Sequence, residues 1–226
     1  MIDIEKNYQA LQRRINSSLA ITGQEESDFT IVAVSKKKSL ADIETAYNLG
    51  LDNFGENFVQ EAIKKIKAFK HKTTWHFIGS IQSNKAKPIS ENFDWVHTIT
   101  RYSIAEKLDK HRPKSLPPLH VCIQIQLHQD DSRNSLPINQ LFAMAKKIET
   151  LPNLKLRGLM GMTRFGASEE ERHQSYRTME MASHTLKDNG FEIDTLSMGM
   201  SDDLEIAIHN HANMIRIGTA LFGPRQ

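Results

Sequence analysis

The sequence has one cysteine, Cys122, in 226 residues. No intramolecular disulfide can form, so the fold rests on its core, and a reducing compartment suits the chain. There is no unbroken apolar run of the roughly 20 residues that cross a bilayer. The opening residues, Met1-Ile2-Asp3-Ile4-Glu5-Lys6, alternate charge with apolar side chains where a secretory leader needs a continuous apolar segment. These absences exclude a membrane partner and predict a cytoplasmic protein. Charge of one sign is also lacking: 29 Lys and Arg face 27 Asp and Glu, a net +2, which gives no electrostatic reason for nucleic acid as a partner. No low-complexity tract, clear repeat or Pro/Gly/Ser-rich linker divides the chain, so residues 1–226 read as a single domain.

What is present is an alternation of short strands and amphipathic helices. Tyr8, Leu11, Ile15 and Leu19, spaced by three and four, predict a leading helix. A β-branched run from 30 to 35 ends in Lys36, and Ser39 with Asp42 predicts a capped helix closing near Gly50. Strand signals recur at Asp52-Asn53-Phe54-Gly55, Trp75-His76-Phe77-Ile78, Asp94-Trp95-Val96-His97, Leu119 to Ile125, Leu156 to Met160, Thr195 to Met198 and Met214 to Ile217. Between them lie a helix carrying Val59, Ala62, Ile63 and Ile66, a brief helical piece from Ser83 to Lys87, and a helix from Ser103 to His111. Pro137 opens a further helix, Ser168 with Glu171 opens another, and Ser201 is read as the cap of the next.

Eight strands, seven with a helix behind them, demand right-handed crossovers and a parallel sheet. The fold class is α/β, a (β/α)8 TIM barrel, with the N-terminal helix predicted to cover the outer position behind strand eight. The alternative is an open doubly wound sheet, but the chain lacks the G-x-G-x-x-G turn that would recommend a dinucleotide site there.

A barrel puts its chemistry at the C-terminal ends of the strands, with phosphate often bound after strands seven and eight. Lys36 ends strand one, Gly199-Met200-Ser201-Asp202-Asp203 follows strand seven, and Gly218-Thr219 ends strand eight. Each has a plainer reading: Lys36 as a snorkelling amine beside Lys37 and Lys38, Ser201 as a simple helix cap, Asp202 and Asp203 as partners of the helix dipole. Residues two apart in a strand face the same way, so Ile215 and Ile217 toward the helices turn Arg216 inward. Its acceptor is then either a ligand or a barrel carboxylate such as Glu56. An amine, a phosphate cradle and an inward arginine together suit pyridoxal 5′-phosphate (PLP), whose aldehyde condenses with an amine while its phosphate and ring nitrogen are held elsewhere.

Six segments then carry a resemblance: Ala33-Val34-Ser35-Lys36, Phe54-Gly55-Glu56-Asn57-Phe58-Val59-Gln60-Glu61, Trp75-His76-Phe77-Ile78-Gly79, Gln82-Ser83-Asn84-Lys85, Leu196-Ser197-Met198-Gly199-Met200-Ser201-Asp202-Asp203 and Arg216-Ile217-Gly218-Thr219-Ala220. In order and over nearly the whole chain, they resemble the YggS/PROSC family of PLP homeostasis proteins. That resemblance implies the alanine racemase N-terminal barrel fold, with Lys36 at the Schiff-base position and Arg216 facing the pyridine nitrogen. It implies a phosphate cradle of Ser201, Gly218 and Thr219, cofactor-lining positions at Asn57 and His76, and Met198 and Met200 against the ring. The family usually has threonine and proline where Lys37 and Ser39 stand. After strand five it tends to carry an Asn and a Ser-Lys-x-Gly stretch, where this chain has Gln126 and Ser132-Arg133-Asn134-Ser135, so the loop from Gln129 to Ser135 is assigned no role.

The resemblance implies a protein that buffers PLP or delivers it to PLP-dependent apoenzymes. The alternative is a PLP-dependent racemase. Arginine at the ring nitrogen weakens the electron sink that carbanion chemistry needs. Racemases also resemble this barrel plus a second domain supplying a tyrosine, and here the chain ends at Gln226. The expectation is a non-catalytic monomer. His209-Asn210-His211 has no accompanying carboxylate or cysteine cluster for a metal, and Cys122, mid-strand, is read as a buried, inert thiol.

Overall fold

The β-branched run forms β1, Thr30–Val34, buried toward its C-terminal end. The computed structural model describes residues 3–128 and 135–224, and within them the strand signals become β2 (Asn53–Glu56), β3 (Thr74–Phe77), β4 (Trp95–Ile99), β5 (Leu119–Gln124), β6 (Leu154–Met160), β7 (Thr195–Ser197) and β8 (Met214–Ile217). They pair in chain order, all parallel, and β8 returns to β1 from Thr30↔Met214 to Ala33↔Ile217, closing the barrel. The register shifts between Val96 and Ile99 of β4 and between Val121 and Cys122 of β5. The open-sheet alternative is thereby excluded.

Helices α2 (Leu40–Asn48), α3 (Val59–Ala68), α4 (Ala86–Asn92), α5 (Tyr102–His111), α6 (Leu141–Glu149), α7 (Glu169–Asp188) and α8 (Leu204–His209) follow strands one to seven. Both capping boxes form, Ser39 with Asp42 at α2 and Ser168 with Glu171 at α7. The leading helix α1 (Ile4–Thr22) buries Leu11, Ile15 and Leu19 and packs on α8, on α2 and on a four-residue helix α9 (Thr219–Phe222). Position eight of the outer ring is thus shared by α1 and α9, the latter too short to show a helical period in the sequence. Asn7 Nδ2 ties the two by donating to the Leu221 carbonyl at 3.0 Å.

Three boundaries differ from the sequence reading. The brief helical piece at 83–87 is a 3-10 turn, Ser83–Lys85, leading into α4. Pro88 sits in the first turn of that helix, where a missing N–H costs nothing. Pro137 opens a 3-10 turn, Ile138–Gln140, and α6 starts only at Leu141. Ser201 is not a helix cap: α8 begins at Leu204 with Asp203 at its N-cap, because residues 201–203 form a turn closed by the Asp203 N–H on the Met200 carbonyl at 3.2 Å. Of the polar loop after β5, residues 129–134 lie outside the described residues.

Strand alternation sorts the side chains. Ile215 and Ile217 join the apolar layer between sheet and helices, while Val32, Trp95, Cys122, Met160 and Met214 fill the barrel interior.

Candidate functional site

A cavity of about 230 Å³ opens at the C-terminal ends of the strands. Small-molecule sites start at roughly 300 Å³, so the space suits a single substituted ring. Its polar wall comprises Lys36, Lys38, Asn57, Ser201, Asp202, Arg216 and Thr219, with Gly218 and Gly223; Val34, Ile78, Met160, Met162 and Met200 supply the apolar part. Of the sequence candidates, Lys36, Asn57, Ser201, Arg216, Gly218 and Thr219 meet here.

Lys36 reaches the cavity through a pinned turn. Past β1, the Ser35 N–H donates to the Gly55 carbonyl at 3.0 Å and the Ser35 hydroxyl to Glu56 Oε1 at 2.7 Å. Lys37 takes a left-handed φ of 60°, which a non-glycine residue adopts only under constraint, and its N–H is held by Glu61 Oε1 at 2.6 Å. Beneath this turn the buried Lys65 donates to the Ser35 carbonyl at 2.7 Å, Glu56 at 2.8 Å and Glu61 at 2.6 Å. Burial pushes the Glu56 carboxyl up from its ordinary value, while the Lys65 and Ser35 bonds oppose that. Glu56 is therefore the partner of Lys65 and not of Arg216.

Arg216 does face inward, 4% exposed. Its Nη1 donates to the Ser197 carbonyl at 2.6 Å and the Ser197 hydroxyl at 2.8 Å, and its Nη2 to the Gly161 carbonyl at 2.9 Å. Backbone of β7 and of the residue after β6 thus sets the guanidinium plane at the cavity wall. A charge this buried persists because its donors are met by oxygens.

The turn after β7 is built around Gly199, whose φ is 93° and where a Cβ would fall 2.6 Å from Ala207 Cβ. Asp203, almost wholly buried, accepts from the Met200 N–H at 2.7 Å, Thr163 Oγ1 at 2.8 Å and the Tyr176 hydroxyl at 2.7 Å. Burial, reinforced by Asp203, raises the Tyr176 phenol well above its ordinary range. From outside, Arg14 Nη2 donates to the Ser201 carbonyl at 3.0 Å and Arg172 Nη1 to the Asp202 carbonyl at 2.8 Å. The Ser201 hydroxyl accepts from the Ala220 N–H at 3.1 Å, joining this turn to the start of α9 and leaving its own proton for a ligand oxygen.

Two sequence candidates lie elsewhere. His76 points into the barrel but is fully buried one strand layer below the cavity, since Ile78, two residues further along, lines the wall. Met198 is buried in the layer outside the sheet, because Ser197 points inward and its neighbour must point out; after the bend at Gly199 it is Met200 that reaches the cavity. Sequence reasoning missed Lys38, whose Nζ donates to the Phe222 carbonyl at 2.8 Å while lining the site, and the methionines Met160 and Met162. A period-two reading of β6 carried past its end would have found the methionines. His209 and His211 join no group of three metal-ligating side chains among the described residues.

Asn57 supplies the test of fit. Its Oδ1 is buried without a hydrogen-bond partner in the cavity wall, an acceptor suited to a ligand donor such as a ring hydroxyl. Its backbone is packed against Gly79 so closely that a Cβ there would fall 2.2 Å from the Asn57 carbonyl oxygen. An amine, a fixed guanidinium, two hydroxyls and an amide acceptor around one ring-sized space form a donor set that accommodates an aldehyde, a phosphate and a heteroaromatic nitrogen on one molecule.

Comparison with known proteins agrees with this chemistry. The profile of the alanine racemase N-terminal domain family matches residues 3–226. The chain is 42% identical over 226 residues to the Pyridoxal phosphate homeostasis protein of Pseudomonas aeruginosa, covering 100% of this chain and 97% of that one. It is 41% identical over 229 residues to the protein of the same name from Escherichia coli K12, covering 100% and 98%. Among solved structures, PipY of Synechococcus elongatus PCC7942 with PLP bound has a TM-score of 0.83 at 32% identity, covering 93% of this chain and 99% of that one.

Proposed function

The chain belongs to the YggS/PROSC family of pyridoxal phosphate homeostasis proteins, on the alanine racemase N-terminal barrel, and from that premise we propose that it binds PLP in the barrel mouth as a Schiff base on Lys36. The observation that carries this reading is the convergence of Lys36, Arg216, Ser201 and Thr219 on one ring-sized cavity. PLP supplies an aldehyde; Lys36 supplies the amine that condenses with it, releasing one water. Arg216 donates to the ring nitrogen, Ser201, Gly218 and Thr219 take the phosphate, and Asn57 accepts from the ring hydroxyl. Lys38 adds positive charge on the phosphate side.

The protein holds and delivers PLP to PLP-dependent apoenzymes of the cytoplasm, and does not turn over an amino acid. Racemisation needs proton-transfer groups on both faces of the substrate carbon. Among the described residues the cavity wall contains no tyrosine or histidine, and the nearby Tyr176 is committed to Asp203. Arg216, held as a permanent donor, disfavours the protonated ring that carbanion chemistry uses.

Borohydride reduction of the PLP-loaded protein followed by peptide mass spectrometry tests the reading. The expected product is a single pyridoxyl adduct on Lys36, lost in Lys36→Ala. An adduct on another lysine alone, or none at saturating PLP, overturns it. Exchange of the Cα proton of supplied amino acids, abolished in Lys36→Ala, would overturn the non-catalytic part.

A further inference from the structure

Below the cavity, the barrel axis carries a continuous file of polar side chains. Arg216 Nη1 donates to the Ser197 hydroxyl at 2.8 Å, which meets His97 Nδ1 at 2.8 Å. His97 Nε2 meets His76 Nδ1 at 2.9 Å, and His76 Nε2 meets Asn53 Oδ1 at 2.8 Å. Asn53 Nδ2 donates to Asp52 Oδ1 at 2.7 Å. Five strands contribute, β8, β7, β4, β3 and β2 in that order down the file, and both imidazoles are fully buried.

The direction of this file follows from its lower end. At the lower end the Asp52 carboxylate can only accept, so it takes the amide protons of Asn53, and Asn53 must present its carbonyl to His76. His76 then carries its proton on Nε2 and accepts on Nδ1. His97 must donate from Nε2 and accept on Nδ1, so the Ser197 hydroxyl donates to it. At the upper end Arg216 can only donate, and it does so to a lone pair of the Ser197 oxygen. The Asp52 end sets this polarity and the Arg216 end is compatible with it, and each imidazole is neutral, as burial requires.

We propose that His97 is a positioning residue for Arg216: with Ser197, His76 and Asn53 it forms a one-way hydrogen-bond chain that fixes the guanidinium as a pure donor at the cavity wall. Ser197 is the pivot, because its one hydroxyl accepts from Arg216 and gives its proton to His97, which holds that proton away from the guanidinium. The chain's polarity stands on the geometry alone; its effect on PLP rests on the reading given above.

Two experiments test it. Nitrogen-15 histidine NMR of the ligand-free protein at pH 7 is expected to show His76 and His97 both as neutral Nε2–H tautomers; an Nδ1–H tautomer at either breaks the chain and overturns the proposal, whatever PLP does. In the PLP-loaded protein, His97→Leu and Ser197→Ala are expected to weaken PLP binding about tenfold, since each leaves a bond to a charged group unsupported, and to shift the visible absorption maximum. His97→Asn, which keeps an acceptor for Ser197, is expected to stay within about twofold of the parent. Equal losses in His97→Asn and His97→Leu, or none in Ser197→Ala, overturn the positioning role. Failure of the unmodified protein to take up PLP would refute the function proposed above and leave the tautomers to decide this inference.

Discussion

Arg14, in the helix that precedes the barrel, donates from Nη2 to the carbonyl of Ser201 at 3.0 Å while Nε and that same Nη2 grip the Glu205 carboxylate. The same guanidinium therefore secures the turn that lines the cavity and the helix behind it. Replacing Arg14 by Ala is expected to cost less than about 1 kcal/mol of stability, because the ion pair is more than one-third exposed. The release rate of bound PLP is expected to rise severalfold, read from the decay of its absorbance in the presence of a trapping apoenzyme. An unchanged release rate would show that the turn holds its shape without α1.

Lys65 is buried between two carboxylates and the Ser35 carbonyl, so its loss leaves Glu56 charged and enclosed. Lys65→Met is expected to destabilise the fold by about 3–5 kcal/mol at pH 7, measured by urea unfolding. The loss should shrink as pH falls, because burial holds the Glu56 carboxyl above its ordinary value and protonation removes the enclosed charge.

The histidine file makes stability pH-dependent with a defined sign. Unfolded imidazoles bind protons below about pH 6.5. In the folded chain burial, reinforced by His120, holds His76 down to about 3, and burial, with His76 and Arg216 beside it, holds His97 well below its ordinary value. Between pH 6.5 and about 4 the unfolded state binds the extra protons, so stability falls as pH falls, by up to about 1.4 kcal/mol per pH unit for each histidine. Unfolding midpoints at pH 7, 6 and 5 check this, and the slope should flatten in His76→Gln.

Cys122 lies inside the barrel, fully buried, and burial pushes its thiol up to about 12. Iodoacetamide at pH 8 is expected to label it at least about 100-fold more slowly than a free cysteine, with normal labelling in denaturant. Fast labelling of the native protein would mean the barrel opens on the timescale of the assay.

Much of this was legible in the sequence because it depends on local periods. Period two turned Arg216 inward and Ile215 outward; the residues Ser39 with Asp42, and Ser168 with Glu171, announced their helices. What was not legible depends on height along the barrel axis. His76 and Ile78 share one strand face, and only the relative stagger of the strands decides which of them borders the cavity. Ser201, Asp202 and Asp203 are three competent caps in a row. Asp203 takes the position because Thr163 and Tyr176, distant in sequence, hold its carboxylate.

The docking of α1 joins the two ends of the described chain. Its partners Glu205 and Leu221 lie 191 and 214 residues downstream of Arg14 and Asn7. Contacts across so long a loop carry a high closure entropy and are expected to form late in folding. Until then the turn carrying Ser201 lacks its outer brace. The binding mouth is thus braced by contacts between segments 191 and 214 residues apart, so its shape depends on the whole barrel being closed.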